Sequence, residues 1–208
     1  MHIALLGDSI LDNQLYTNGE PDVANHLRSL LPAAVEVSLC AVDGSTTADI
    51  SSQIRTVPAS ATHVVVSVGG NDALMNIDLI KTPVRSTTEA LLLFHARISE
   101  FELSYRRAIK NVLSLGRRTV ICTIYNGNLD PPERDPARML LMMFNDVILR
   151  CGFERHLSVI DLRLICNQTS DYANPIEPSG PGGLKIAKAI ASWLESGETA
   201  EVARVRTV

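Results

Sequence analysis

One segment organises the predicted fold: Leu5-Leu6-Gly7-Asp8-Ser9-Ile10-Leu11-Asp12. The apolar run Ile3–Leu6 predicts a short buried strand, which Gly7 ends. In an open α/β sheet, ligands bind in the crevice beyond the carboxyl ends of the strands. Ser9 therefore stands where a nucleophile would be useful, although Asp8 and Ser9 would equally suit the cap of a helix.

Short apolar runs alternate with helix-length segments along the chain. Five runs rich in Val, Ile and Leu predict strands that are covered on both faces: Ile3–Leu6, Val35–Leu39, His63–Val68, Thr119–Ile124 and Ser158–Leu162. The segments between them predict helices at Pro21–Leu31, Thr46–Arg55, Thr88–Leu115, Pro136–Cys151 and Gly183–Glu195. This alternation predicts one α/β domain over 1–208 with a doubly wound parallel sheet of about five strands. We expect 197–208 to form a polar, flexible tail.

The composition excludes several classes of partner. The 208 residues are 46% hydrophobic and 20% charged, which is typical of a globular protein with a sizeable core. A formal net charge of −4, dispersed Lys and Arg and only 4% aromatic residues argue against nucleic-acid binding. No apolar run reaches membrane-spanning length, and no signal-peptide pattern precedes the first predicted strand. We therefore expect a cytoplasmic protein that binds neither nucleic acid nor membranes.

The cysteines are scattered and form no Cys-x-x-Cys pair, which predicts buried thiols rather than metal ligands. They are Cys40, Cys122, Cys151 and Cys166. The His, Asp and Glu residues do not have the spacing of a metal site either. We expect no metal and no cofactor.

Two further loops follow predicted strands and carry donors for an anion. Gly44 follows the second strand, and a glycine there leaves its backbone N–H free to donate. Gly69-Gly70-Asn71-Asp72 follows the third strand and can aim the Asn71 amide into the same crevice. Either loop taken alone could be an ordinary turn. A dinucleotide-binding loop is the other possibility, but the Gly-x-Gly-x-x-Gly pattern is missing.

Two segments are candidates for the wall of a substrate pocket. Asp12-Asn13-Gln14-Leu15-Tyr16 lies directly after Ser9, and Tyr125-Asn126-Gly127-Asn128 follows the fourth predicted strand. Each could equally be a turn of no further consequence.

The three loops together resemble the GDSL or SGNH hydrolase superfamily, whose named blocks are Ser, Gly, Asn and His. Gly7-Asp8-Ser9, Gly44 and Gly69-Gly70-Asn71-Asp72 occur in the family's order, and the resemblance spans nearly the whole chain. It implies a three-layer α/β/α, flavodoxin-like fold and the hydrolysis of carboxylic esters through a serine nucleophile.

The resemblance also implies roles for individual residues. Ser9 would be the nucleophile, and the Ser9 N–H, the Gly44 N–H and the Asn71 side chain would form the oxyanion hole. Asp8 would hold the nucleophile loop. We assign Asp8, Asp12 and Asp72, which flank these blocks, as candidate substrate-binding residues.

The fourth block departs from the family pattern. The family has Asp-x-x-His before the last helix, whereas this chain has Asn174-Pro175-Ile176-Glu177. Three hypotheses follow. Glu177 could be the general base, its pKa raised by desolvation; another residue, with Asp171, His95 and His156 as candidates, could serve; or the protein could only bind a ligand.

The favoured prediction is hydrolysis of a small-molecule ester that carries an acetyl or short acyl group. Ser9 would attack the carbonyl carbon while a base takes its proton, and water would then release the acid from the acyl-enzyme. The alternative is a binding protein that kept the oxyanion hole and lost its base. The sequence does not indicate an oligomeric state.

Overall fold

The computed structural model describes residues 1–196 and 205–206. Within these residues, one parallel sheet has six strands: β1 His2–Gly7, β2 Glu36–Leu39, β3 His63–Ser67, β4 Arg118–Cys122, β5 Ser158–Ile160 and β6 Val205–Arg206. The order across the sheet is β2-β1-β3-β4-β5-β6. All five predicted strands are present, which confirms the predicted parallel sheet.

The short strand β6 was not predicted. It pairs in parallel with β5, with Val159 opposite Val205, inside the segment for which the sequence predicts a flexible tail. The remaining residues of that segment, 197–204 and 207–208, lie outside the described residues.

Seven helices connect the strands within the described part of the chain. They are α1 Val23–Leu30, α2 Ile50–Ile54, α3 Gly70–Leu74, α4 Thr87–Leu113, α5 Arg134–Glu154, α6 Leu162–Ile165 and α7 Gly180–Glu195. The five predicted helices are present, but α2 starts later than predicted. The reason is local: Asp49 accepts hydrogen bonds from the Thr46 backbone and hydroxyl, at 2.8 and 2.9 Å, and so forms a turn there.

The sheet is the middle layer of three. Side chains of β1 alternate between its faces, as strand geometry requires: Ala4 and Leu6 join the core under α4 and α5, whereas Ile3 and Leu5 join the core under α1 and α7. This confirms the three-layer α/β/α fold. Among the described residues, no helix is both long and apolar enough to cross a bilayer.

The strand order fixes the position of a ligand site. β1 pairs with β2 on one side and with β3 on the other, so the chain leaves β1 and β3 toward opposite edges of the sheet. In open α/β folds, a crevice forms at this switch point, beyond the carboxyl ends of the two strands. The loops that carry Ser9 and Asn71 meet there.

Candidate active site

The turn that carries Ser9 depends on Gly7. Its φ of +139° is favourable only for glycine, and a Cβ at this position would overlap the Ser67 carbonyl oxygen. The Gln53 side chain fixes both polar groups of the turn: its Oε1 accepts from the Gly7 N–H at 2.8 Å, and its Nε2 donates to the Gly7 carbonyl at 2.7 Å. The turn is therefore held rigidly, and the Ser9 N–H donates to no other group among the described residues.

Asp8 is buried in the turn that carries Ser9. Its Oδ1 accepts from the Ile10 N–H at 3.1 Å. Its Oδ2 lies beside Gly70 and accepts no well-formed hydrogen bond from the described residues. Burial, with a smaller contribution from the negative charges of Glu177 and Asp72, raises the pKa of Asp8 to about 7. The bond to Ile10 ties the Asp8 side chain to the loop that carries Ser9, and a role of Asp8 in substrate binding stays a prediction.

The Gly44 loop is tied to the Asn71 loop. The Asn71 Nδ2 donates to the Ser45 carbonyl at 2.9 Å, which leaves the second amide hydrogen for another acceptor. Gly44 itself has a φ of +77° and is exposed, and its N–H makes no hydrogen bond within the described part of the chain. The loops that carry the predicted oxyanion-hole donors are thus neighbours.

Asp12 and Asp72 have partners inside the protein. The Asp12 Oδ2 accepts from the Asp43 N–H at 3.0 Å. The two oxygens of Asp72 accept from the Thr47 N–H at 3.0 Å and from its hydroxyl at 2.6 Å. Both carboxylates therefore hold the loop that contains Gly44, and a direct contact with substrate stays a prediction for each.

Glu177 is presented by a tightly bonded turn. The Asn174 Oδ1 accepts from the backbone N–H groups of Ile176 and Glu177, each at 2.9 Å. The Glu177 carbonyl accepts from the Ala173 N–H at 2.9 Å, and the Tyr125 hydroxyl donates to the Ile176 carbonyl. Asn174 thus shapes the backbone that carries Glu177.

The Glu177 side chain lies beside Ser9 at a position that is largely shielded from water. Burial is the main cause that raises its pKa, and the negative charge of Asp43 adds to the shift. A hydrogen-bonding interaction with the Ser9 side chain acts in the opposite direction. The Glu177 Oε2 is buried and accepts no hydrogen bond from the described residues. This carboxylate has free lone pairs beside a serine hydroxyl, which is the arrangement that proton transfer requires.

The other candidate bases lie elsewhere. Asp171 is fully buried in an ion pair with Lys185, with Nζ at 2.7 Å from Oδ1, and its Oδ2 accepts two backbone N–H groups. His95 is exposed on α4. His156 precedes β5 and therefore lies at the amino edge of the sheet, opposite Ser9. The structure brings Glu177, rather than these three, to the serine.

A cleft of about 650 Å³, counting its open mouth, begins at Ser9. Among the described residues, its lining includes Ser9, Asn71, Glu177 and Asp8, but not Gly44. The rest of the lining is largely apolar: Ile10, Gly70, Ala73, Leu74, Ile77, Ile124, Tyr125, Asn126, Gly127, Leu129, Ala137, Leu140, Leu141 and Ile176. The predicted wall segment after the fourth strand thus contributes, through Tyr125, Asn126 and Gly127.

Two residues for which the sequence predicted no such role hold the loops of the site together. One is Gln53, described above. The other is Asn13: its Oδ1 accepts from the Val23 N–H at 2.9 Å, and its Nδ2 donates to the Pro178 carbonyl at 3.2 Å. For Asn13, the available signal was an amide side chain shortly after the Gly7-Asp8-Ser9 motif; Gln53 lies in a largely polar helical segment, which gave no signal. Among residues 1–196 and 205–206, no group of three His, Cys, Asp or Glu could hold a metal ion.

The sequence profile of the GDSL-like lipase/acylhydrolase family matches residues 5–182. The chain belongs to this family and is an esterase- or lipase-like hydrolase. No curated protein matches the chain in sequence.

Solved structures share the fold at low identity. The acetyl xylan esterase AlAXEase superposes with a TM-score of 0.71 at 15% identity, over 93% of this chain and 100% of the other. Phospholipase A1 from Streptomyces albidoflavus gives 0.69 at 13% identity, over 92% and 98%. Axe2, an acetylxylan esterase from Geobacillus stearothermophilus, gives 0.68 at 19% identity, over 100% and 97%. These structures confirm the SGNH hydrolase fold.

Proposed function

We propose that the protein hydrolyses carboxylic esters with Ser9 as nucleophile and Glu177 as general base. The observation that carries this proposal is the meeting of the Ser9 hydroxyl and the buried Glu177 carboxylate at the head of the cleft. In an ordinary solvated position, glutamate is a poor base for a hydroxyl. Burial makes the Glu177 carboxylate a stronger proton acceptor.

The reaction then runs in two halves. The Ser9 oxygen bonds to the ester carbonyl carbon as its proton passes to Glu177, and the alcohol departs with that proton. The resulting acyl-enzyme is attacked by a water molecule, which gives its proton to Glu177. The carbon–oxygen bond to Ser9 breaks, and the carboxylic acid and the original Ser9 hydroxyl are released.

In this proposal, three donors bind the oxyanion. The N–H groups of Ser9 and Gly44 and the second amide hydrogen of Asn71 have no other acceptor among the described residues. Negative charge develops on the carbonyl oxygen only during attack, so such donors favour the transition state over the substrate. The family's hydrolase activity supports small esters as substrates. Among these, acetyl and short acyl esters are the groups that the sequence favours.

The test is covalent labelling by a small fluorophosphonate, followed by intact mass. We expect one adduct on the native chain and none on Ser9→Ala, with labelling of Glu177→Gln slowed by about 100-fold or more. An unlabelled native chain that also hydrolyses no ester would instead favour a ligand-binding protein. A Ser9 adduct with normal labelling of Glu177→Gln would keep the nucleophile and reject the base.

A further inference from the structure

The apolar wall of the cleft at Ser9 extends beyond the area that an acetyl group would cover. The open space along this wall is about 650 Å³, including the part at the mouth that is open to solvent. Beyond Ser9, Asn71 and Glu177, the wall is formed mainly by aliphatic side chains of α3, of α5 and of nearby loops. An acetyl ester would leave most of this apolar surface uncovered.

Two features keep the cleft open. Ala73 and Ala137 line it with small side chains that are themselves buried, so a channel remains where larger residues would fill the space. At the mouth, Leu74 and Ile77 are 40% and 44% exposed, and both side chains belong to the largely apolar lining of the cleft. Exposed apolar side chains that continue into an apolar pocket mark a ligand-binding surface.

We infer that the cleft binds a straight alkyl acyl chain of medium length, so that the preferred esters carry an acyl group well beyond acetyl. This inference rests on the proposed function for the hydrolytic step. The carbonyl lies at Ser9, the chain extends along Leu74, Ala137 and Leu140, and its far end is covered by apolar side chains. Each methylene that leaves water for this wall contributes to binding, and the gain increases with chain length until the cleft is filled.

The first test compares 4-nitrophenyl acetate, butyrate, hexanoate and octanoate. We expect kcat/KM to increase about two- to fourfold for each added methylene. Leu74→Gln, at the exposed mouth, should lower the ratio of octanoate to acetate activity about fivefold. Leu103→Gln is the matched control, because Leu103 is an exposed leucine on α4 away from the cleft; its ratio should equal that of the native chain.

A second variant fills the cleft from within. Ala137→Phe should lower the ratio of octanoate to acetate activity by more than tenfold, because the added ring occupies the space that the longer acyl chain needs. Because Ala137 is only 4% exposed, the melting temperature of the Ala137→Phe variant is measured together with its activity. If this variant does not fold, the comparison of Leu74→Gln with Leu103→Gln tests the inferred acyl-chain site, since both changes are at exposed positions.

A binding measurement separates this inference from the proposed function. Calorimetric titration of Ser9→Ala with octanamide and with acetamide needs no turnover. We expect octanamide to bind at least tenfold more tightly than acetamide. This difference in affinity should be lost in the chain that carries both Ser9→Ala and Leu74→Gln. Equal activities on all four esters and equal binding of both amides would overturn the inference and leave the esterase proposal standing. Tight, Leu74-dependent binding of octanamide by a chain that hydrolyses no ester would overturn the esterase proposal and support the alkyl pocket.

Discussion

Two acidic side chains close to Ser9 are both held away from water. Glu177 has a buried oxygen with no hydrogen-bond donor among the described residues, and Asp8 has one beside Gly70. An isolated buried carboxylate is costly, so each prefers its proton more than a solvated acid does. We interpret Glu177 as the group that exchanges a proton with Ser9, and Asp8 as the support of the turn.

The pH dependence of activity tests the role of Glu177. A base must be deprotonated, so kcat/KM should rise with pH through the pKa of Glu177, which lies above its ordinary value of 4.5. Glu177→Gln should lower kcat by about 100-fold or more and remove this inflection. Glu195→Gln, an exposed position at the end of α7, serves as the control. A profile that stays the same in Glu177→Gln would contradict this role.

Asn71 gives a prediction for the oxyanion. Removing one such donor costs about 100- to 1000-fold in kcat, so Asn71→Ala should show this loss with little change in KM. Its bond to the Ser45 carbonyl is also lost, so unfolding is measured in parallel. A change confined to KM would show that Asn71 binds the substrate and the transition state equally.

At the scale of elements, the β1 turn is the part of the fold with the least freedom. Gly7→Ala should be strongly destabilising, by about 3 kcal/mol or more, because the added Cβ would overlap the Ser67 carbonyl. Gly19→Ala is the matched control: its φ is also positive, at +89°, but a Cβ there would meet nothing within 4 Å. We expect it to cost about 1 to 2 kcal/mol. If urea unfolding gave equal losses of unfolding free energy for both variants, the backbone conformation rather than the contact with Ser67 would determine the cost.

Most elements could be predicted because their signals are local. The strand β1 is a continuous apolar run, which is the sequence pattern typical of a parallel strand that is buried on both faces. The two-residue strand β6 could not be predicted, since the pairing that defines Val205–Arg206 as a strand is with the distant β5 and is not a local signal. The late start of α2 likewise depends on one turn at Asp49, which propensities do not resolve.

The site was predictable only in part, for a different reason. Ser9, Gly44 and Asn71 each follow a strand, so their common edge follows from parallel topology. The contact between Glu177 and Ser9 depends on a turn shaped by Asn174 and on burial, neither of which is a sequence pattern. The apolar cleft was also missed, because its lining comes from α3, α5 and three loops.

For the whole molecule, Asp8 couples stability to pH. Its pKa is about 7 in the folded chain against 3.8 ordinarily, so the folded state binds the proton more tightly than the unfolded state. The contribution of this protonation to the free energy of unfolding is full below pH 4 and is lost as the pH rises through 7. We expect this loss to be roughly 2 to 4 kcal/mol. Asp8→Asn should flatten the curve of unfolding free energy between pH 4 and 8, and a curve identical to that of the native chain would refute the coupling.

The hydrogen bond between Asn13 and Pro178 joins parts of the chain that are 165 positions apart. During translation, Ser9 leaves the ribosome long before Glu177 has been synthesised. The nascent chain therefore carries its serine without the carboxylate that would activate it. Until the segment around Pro178 emerges and docks against Asn13, the proposed nucleophile lacks its proposed base, so the onset of reactivity follows the synthesis of that segment.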